Sequence, residues 1–254
     1  SDGNDLIALA PYWQQAMPDT AFIAPNAPER CDGNPMGYQW FPITRLDPAE
    51  IARGVEAAAP LLDRFIDEQL RLRGLDGSQI ALVGFSQGTM MALHVGLRRS
   101  MPPACIVGYS GALAVPERLS GEMTGEPPIL MIHGDADDML PVSRMHEAVQ
   151  ALGEAGLPVQ WHVSPGLGHG IGKIGAKDWR LHKAVAPYIV NSRKRGLLRW
   201  VAFGPGRVGV QGSFATPDAC PALVLNADYR PLSYYPLSLW SWQDAIKAVF
   251  LDRV

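Results

Sequence analysis

The segment Gly84-Phe85-Ser86-Gln87-Gly88 has the pattern G-x-S-x-G. An apolar run, Ile80-Ala81-Leu82-Val83, leads into it, and a helical pattern from Thr89 to Arg98 follows. A serine on a tight strand-to-helix turn exposes its hydroxyl, and small flanking residues leave room for that turn. Such a hydroxyl attacks an acyl carbonyl once a base takes its proton. The backbone N–H of Gln87, at a helix N-terminus, is placed to stabilise the resulting oxyanion. The competing reading is a glycine-rich βα turn with no chemistry.

A base and an acid are therefore required. Of six histidines, His94, His146 and His182 fall in helical patterns and His162 in a strand. His133 closes a strand in Ile132-His133-Gly134 and suits fixing the loop that follows. His169 lies in Pro165-Gly166-Leu167-Gly168-His169-Gly170, a glycine loop just after a strand. A base belongs on such a loop, at the carboxyl edge of a sheet. The acid must orient the imidazole and stabilise its charged form. His133-Gly134-Asp135-Ala136-Asp137-Asp138 offers three aspartates, again after a strand. Asp137 is taken as the acid. Asp135 and Asp138 remain the alternative partners and otherwise read as loop-capping or solvated residues. This chemistry needs no metal and no organic cofactor.

The elements that position these residues alternate along the chain. Apolar runs at Ala21–Ala24, Ile80–Gly84, Ala104–Val107, Ile129–Ile132 and Val159–Val163 predict strands. Asp47, Pro48 and Glu50 mark a helix start, and Ile51, Val55, Ala58, Leu62, Phe65, Ile66 and Leu70 continue at helical spacing, with a kink expected at Pro60. Ser143 can cap a helix carrying Met145, Val149 and Leu152. Continuous apolar strands separated by helices indicate an α/β fold: a mostly parallel sheet covered on both faces.

Composition narrows the field. The chain has 254 residues, 47% hydrophobic and 19% charged, with a net charge of −3. That is enough for a real core, and too apolar for overall disorder. The mild acidity argues against a nucleic-acid binder, and no run of about 18 apolar residues suggests a membrane span. Cys31, Cys105 and Cys220 are an odd number with no CxxC, which argues against a disulfide framework and a zinc knuckle; a cytoplasmic setting fits. The character changes at Arg193-Lys194-Arg195-Gly196, which sets a boundary near 195: a domain at 1–195, then a linker and an irregular tail at 196–254.

Several motifs in order resemble the phospholipase/carboxylesterase family of α/β-hydrolases, which includes acyl-protein thioesterases and small bacterial esterases. They are Asp2-Gly3-Asn4-Asp5-Leu6, Phe22-Ile23-Ala24-Pro25-Asn26-Ala27-Pro28, Gln39-Trp40-Phe41, Gly84–Gly88, Tyr109-Ser110-Gly111, His133–Asp137 with Pro141, and Gly168-His169-Gly170. The resemblance implies a serine hydrolase cleaving carboxylic ester or thioester bonds of short- to medium-chain acyl substrates. It puts the nucleophile on Ser86, the acid on Asp137, the base on His169 and one oxyanion donor on Gln87. It places Trp40 near the acyl-binding region, where an ordinary core tryptophan is the competing reading. A lysophospholipase or protein deacylase of the same fold is the neighbouring alternative.

The family's second oxyanion donor comes from an HGxG loop after a strand that this sequence, opening at Ser1, does not contain. Its loss implies unpaired strand edges and roughly 2.7–4 kcal/mol less transition-state stabilisation. An inactive, truncated fragment is thus a further expectation to weigh. The resemblance fades after Ile171, where Trp179 to Ile189 could form a closing helix. Ala222–Leu232 and Trp240–Ile246 resemble the opening of HNH endonuclease-family proteins, without the His-Asn-His metal motif. The tail thus reads as a read-through fusion. As a lesser alternative, Leu223–Leu225 or Leu198–Phe203 supplies a strand to the sheet.

Overall fold

Asp47 has extended backbone (φ −68°, ψ 130°), and its carboxylate accepts the Ala49 N–H, at 3.4 Å. These features start the helix that the sequence predicts. In the computed structural model, which describes residues 6–14, 20–31, 34–44, 46–171, 199–203, 221–223 and 239–241, this helix runs from Pro48 to Arg73. It passes through Pro60 without interruption and ends at Gly74, whose left-handed φ of 61° suits glycine. Glu50 lies in the first turn of the helix. Its carboxylate takes the Thr44 N–H and hydroxyl, at 2.9 and 2.8 Å, and so anchors the preceding loop.

In chain order the helices are α1 (Ala10–Gln14), α2 (Pro48–Arg73), α3 (Gln87–Gly96), α4 (Leu119–Glu122) and α5 (Ser143–Glu154). The strands are β1 (Phe22–Ile23), β2 (Glu29–Cys31), β3 (Asn34–Gln39), β4 (Ile80–Phe85), β5 (Cys105–Tyr109), β6 (Ile129–Gly134), β7 (Val159–Ser164), β8 (Arg199–Phe203), β9 (Pro221–Leu223) and β10 (Leu239–Ser241). All five strands expected from the apolar runs are present. The β2–β3 antiparallel hairpin was not expected, because its residues lack an apolar alternation.

Side chains alternate across each strand, so each inner strand feeds two cores. Ile80 and Leu82 of β4, Ile106 of β5 and Met131 of β6 join Val55, Leu62 and Ile66 of α2, Met90 and Met91 of α3, and Met145 and Leu152 of α5. Ala81 and Val83, Val107 and Tyr109, and Leu130 and Ile132 face the other way, against Leu6 and Trp13. Cys105 belongs to this second core, and burial pushes its thiol up to about 12, so it packs as a small apolar residue. Cys220 and the helix expected over Trp179–Ile189 lie outside the described residues.

Within the described residues, the main sheet is all parallel in the order β1-β8-β4-β5-β6-β7. The expectation of open strand edges does not hold here. Arg199–Phe203 lies between β1 and β4, with Phe22 opposite Trp200 on one side and Val83 opposite Ala202 on the other. A strand is needed there because β4 is apolar along its whole length, and an open ladder beside it would leave its N–H and C=O groups unpaired.

This pairing leads to a stability prediction. Val201→Pro removes a ladder N–H from an interior strand and should destabilise the protein by at least about 1–3 kcal/mol. Thermal unfolding with amide exchange of β1 and β4 reads it, and unchanged protection of Leu82 and Val83 would show that β8 does not hold this position.

The chain divides into two compact units, Ser1–Val208 and Gly209–Val254. In the second unit, β9 and β10 pair antiparallel. No described helix is long and apolar enough to cross a membrane.

Candidate active site

The turn from β4 into α3 is built by close approach. A side chain at Gly84 would put its Cβ under 3.0 Å from the backbone carbonyl of Gly88, so only glycine lets the helix start this near the strand. The turn forces Ser86 into φ 55°, ψ −118°, an uncommon conformation for a residue with a Cβ. The Ser86 N–H donates to the Tyr109 carbonyl at 2.9 Å, which ties the turn to β5. Ser86 precedes α3 but makes no side-chain cap bond, so its hydroxyl is not spent on the helix. Gln87 is the first residue of α3, and its N–H therefore has no partner within the helix.

The Gln87 side chain has a role that the sequence did not reveal. Its Oε1 accepts the Trp40 N–H at 2.9 Å, and its Nε2–H donates to the Phe41 carbonyl at 2.8 Å. The amide thus fastens the 40–41 segment beside the elbow. Trp40 is 6% exposed and lies in the core with Phe41 and Ile51. The structure therefore places Trp40 beside the turn by its backbone and inside the core by its ring.

At the carboxyl ends of β6 and β7, two loops are laced together. The Asp135 N–H donates to the Ser164 carbonyl at 3.3 Å, and the Ala136 N–H donates to the Leu167 carbonyl at 3.1 Å. The exposed Asp135 takes the Gly166 N–H at 2.6 Å. A Cβ on Gly134 would collide with the Leu167 carbonyl, so this crossing also needs glycine. The Ser110 hydroxyl donates to the Gly170 carbonyl at 3.3 Å, fixing the far end of the loop. Asp138 is exposed.

Between these loops the Asp137 carboxylate is fully withdrawn from solvent. Its Oδ1 accepts the N–H groups of Met139 and Leu140 at 3.0 and 2.8 Å. Its Oδ2 lies 2.8 Å from His169 Nδ1. Burial pushes the Asp137 pKa up, but the Leu140 N–H, the His169 hydrogen bond and the nearby imidazoles together hold it below the ordinary carboxylate value. A carboxylate that stays ionised fixes the proton of His169 on Nδ1 and leaves Nε2 free to accept. The His169 ring also packs on Phe85, with centroids 5.0 Å apart.

His94 and His146 go elsewhere. His94 is buried in α3, where desolvation and then Arg98 push it down to about 4. His146 packs edge-on against Trp161. His182 lies outside the described residues. Thus Ser86 and Gln87 come from the end of β4, Asp137 from the end of β6 and His169 from the loop after β7, all on one edge of a parallel sheet.

That sheet and its carboxyl-edge residues define an α/β-hydrolase. A model of the phospholipase/carboxylesterase family matches residues 1–179, and the chain belongs to that family. Residues 222–254 match a model of an HNH endonuclease-associated N-terminal domain. Among curated relatives, acyl-protein thioesterase 1 of Gibberella zeae is 28% identical over 184 residues, covering 66% of this chain and 78% of its own. The esterase YpfH of Escherichia coli is 28% identical over 161 residues, 63% and 67% of the two chains. The crystal structure of esterase PE8 shares 44% identity, covers 73% of this chain and 85% of its own, and has a TM-score of 0.68. The chain is accordingly a hydrolase of the carboxylesterase class, acting on acyl ester or thioester bonds.

Proposed function

We propose that the protein cleaves short- to medium-chain acyl esters or thioesters through an acyl-enzyme on Ser86. His169 Nε2 takes the proton of the Ser86 hydroxyl as Oγ attacks the acyl carbonyl. Asp137 holds the imidazole in the required tautomer and stabilises the imidazolium. The Gln87 N–H donates to the oxyanion, helped by the positive end of α3. The imidazolium then gives its proton to the departing alkoxide or thiolate. Water releases the acid by the reverse route, with His169 again as base. Trp40 acts as a packed wall beside the elbow, held there by Gln87. The observation that carries the reading is the 2.8 Å contact between the buried Asp137 and His169, on the sheet edge where strained Ser86 begins its helix.

A series of p-nitrophenyl esters and acyl thioesters from acetyl to palmitoyl tests the substrate class. We expect an initial burst of p-nitrophenol equal to the enzyme concentration, and kcat/KM highest at acetyl to octanoyl. A profile rising through palmitoyl, or activity confined to lysophospholipids, would replace the short-chain reading with the lipid or protein deacylase of the same fold.

A further inference from the structure

His133 is the last residue but one of β6, and its side chain is fully buried. Its Nε2 lies 2.8 Å from the Leu140 carbonyl. A carbonyl only accepts, so the proton of this imidazole is on Nε2. The opposite nitrogen, Nδ1, is buried with no hydrogen-bond partner among the described residues, which agrees with that tautomer. The same Nε2 lies 3.1 Å from Asp137 Oδ2, the oxygen that faces His169.

Two consequences follow. The bond to Leu140 closes a turn whose Leu140 N–H already holds Asp137 Oδ1, so His133 and Asp137 grip one residue from both sides. The positive edge of the His133 N–H also lies against Oδ2, which lowers the pull of that oxygen on the His169 proton. We propose that His133 is a positioning residue for the reaction: through Leu140 it fixes the Asp137 carboxylate, and its N–H moderates the basicity that Asp137 confers on His169.

This inference rests on the Ser86–His169–Asp137 reading. Among the described residues, the other titratable groups on the neighbouring loops and strand are placed as follows. His169 meets the Phe85 ring, Asp135 is exposed and bonded to Gly166, Asp138 is exposed, and His162 on β7 sits opposite Ile132. Asp137 Oδ2 thus has the His169 Nδ1 at 2.8 Å and the His133 Nε2 at 3.1 Å against it.

The test compares three variants by pH profiles of p-nitrophenyl acetate hydrolysis. His133→Phe keeps a ring without a donor. His133→Asn keeps a polar group too short to reach the Leu140 carbonyl. His133→Gln sets an amide N–H close to the place of Nε2. Phe and Asn should lower kcat by about tenfold to a hundredfold, with KM within about twofold. In both, the acid limb of kcat/KM, which reports the base of the free enzyme, should move to higher pH, because Oδ2 has lost a donor. Gln should restore most of kcat and return the limb. A scaffold role alone would lower the melting temperature and leave the limb in place; that result overturns the proposal, as does Gln being as impaired as Phe. If Phe does not fold, Asn and Gln decide the question. Ser86→Ala separates the two levels. If it hydrolyses ester as fast as wild type, the triad reading fails. If it is dead while the His133 variants match wild type, only this inference fails.

Discussion

Ser86→Ala should lower kcat/KM for p-nitrophenyl esters by about 10⁴- to 10⁶-fold while leaving the fold intact. The magnitude follows from the division of labour. Removing Oγ abolishes the acyl-enzyme, and His169 and Asp137 then have no hydroxyl to activate. What remains is binding and the Gln87 N–H, which on their own leave some acceleration over water. The loss should fall on kcat, and the burst of p-nitrophenol should vanish. Rates equal in Ser86→Ala and wild type would remove Ser86 from the mechanism. A companion variant separates strain from chemistry. The φ of 55° at Ser86 suits glycine, so Ser86→Gly should be just as inactive yet more stable, by about 1 kcal/mol or more. Thermal unfolding reads this directly, and a Gly variant that melts below wild type would show that the elbow is not strained.

The strands and the order of the chemical residues were legible because each depends on local pattern. Ile80–Val83 is apolar on both faces and stops at a glycine, which is what a central parallel strand before a tight turn requires. His169 stood out among six histidines because glycines surround it after a strand, whereas His94 sits inside an apolar helix where burial keeps it neutral. Two features were not legible and a third only as a lesser alternative, and they share a cause. The Gln87 clamp spans 46 and 47 residues of sequence to Phe41 and Trp40. Asp135 reaches Gly166 across 31. β8 joins β4 across more than a hundred residues. None of these pairings leaves a periodic trace, because the partners contribute backbone groups, which every residue type carries. The β8 placement shows this most clearly. The segment 198–203 reads in sequence only as a lesser candidate for a strand of the sheet, and the gap between β1 and β4 gives it its position.

Asp137→Asn is the sharper test of the site, because it keeps the shape and changes one proton. An asparagine amide set against His169 Nδ1 donates where the carboxylate accepted. The imidazole then carries its proton on Nε2 and cannot take the hydroxyl proton. A loss of about 10⁴-fold in kcat near neutral pH follows from the wrong tautomer alone. Asp135→Asn supplies the contrast. Asp135 is exposed and bonds the Gly166 N–H, a contact that an amide oxygen can also make, so its activity should stay within about tenfold of wild type. Reversed magnitudes would move the acid to Asp135. The two proteins should also part at low pH. The folded-state pKa of Asp137 lies below the ordinary value of 3.8, so its ionisation stabilises the fold fully above that value. That stability is lost as the pH falls from about 3.8 through the depressed value. Asp137→Asn has no proton to gain there, so its urea midpoint should fall less steeply than that of wild type below pH 4. Parallel slopes would mean that the carboxylate is no better held in the fold than in the open chain, and the network around Leu140, His133 and His169 would then carry no net stabilisation of its charge.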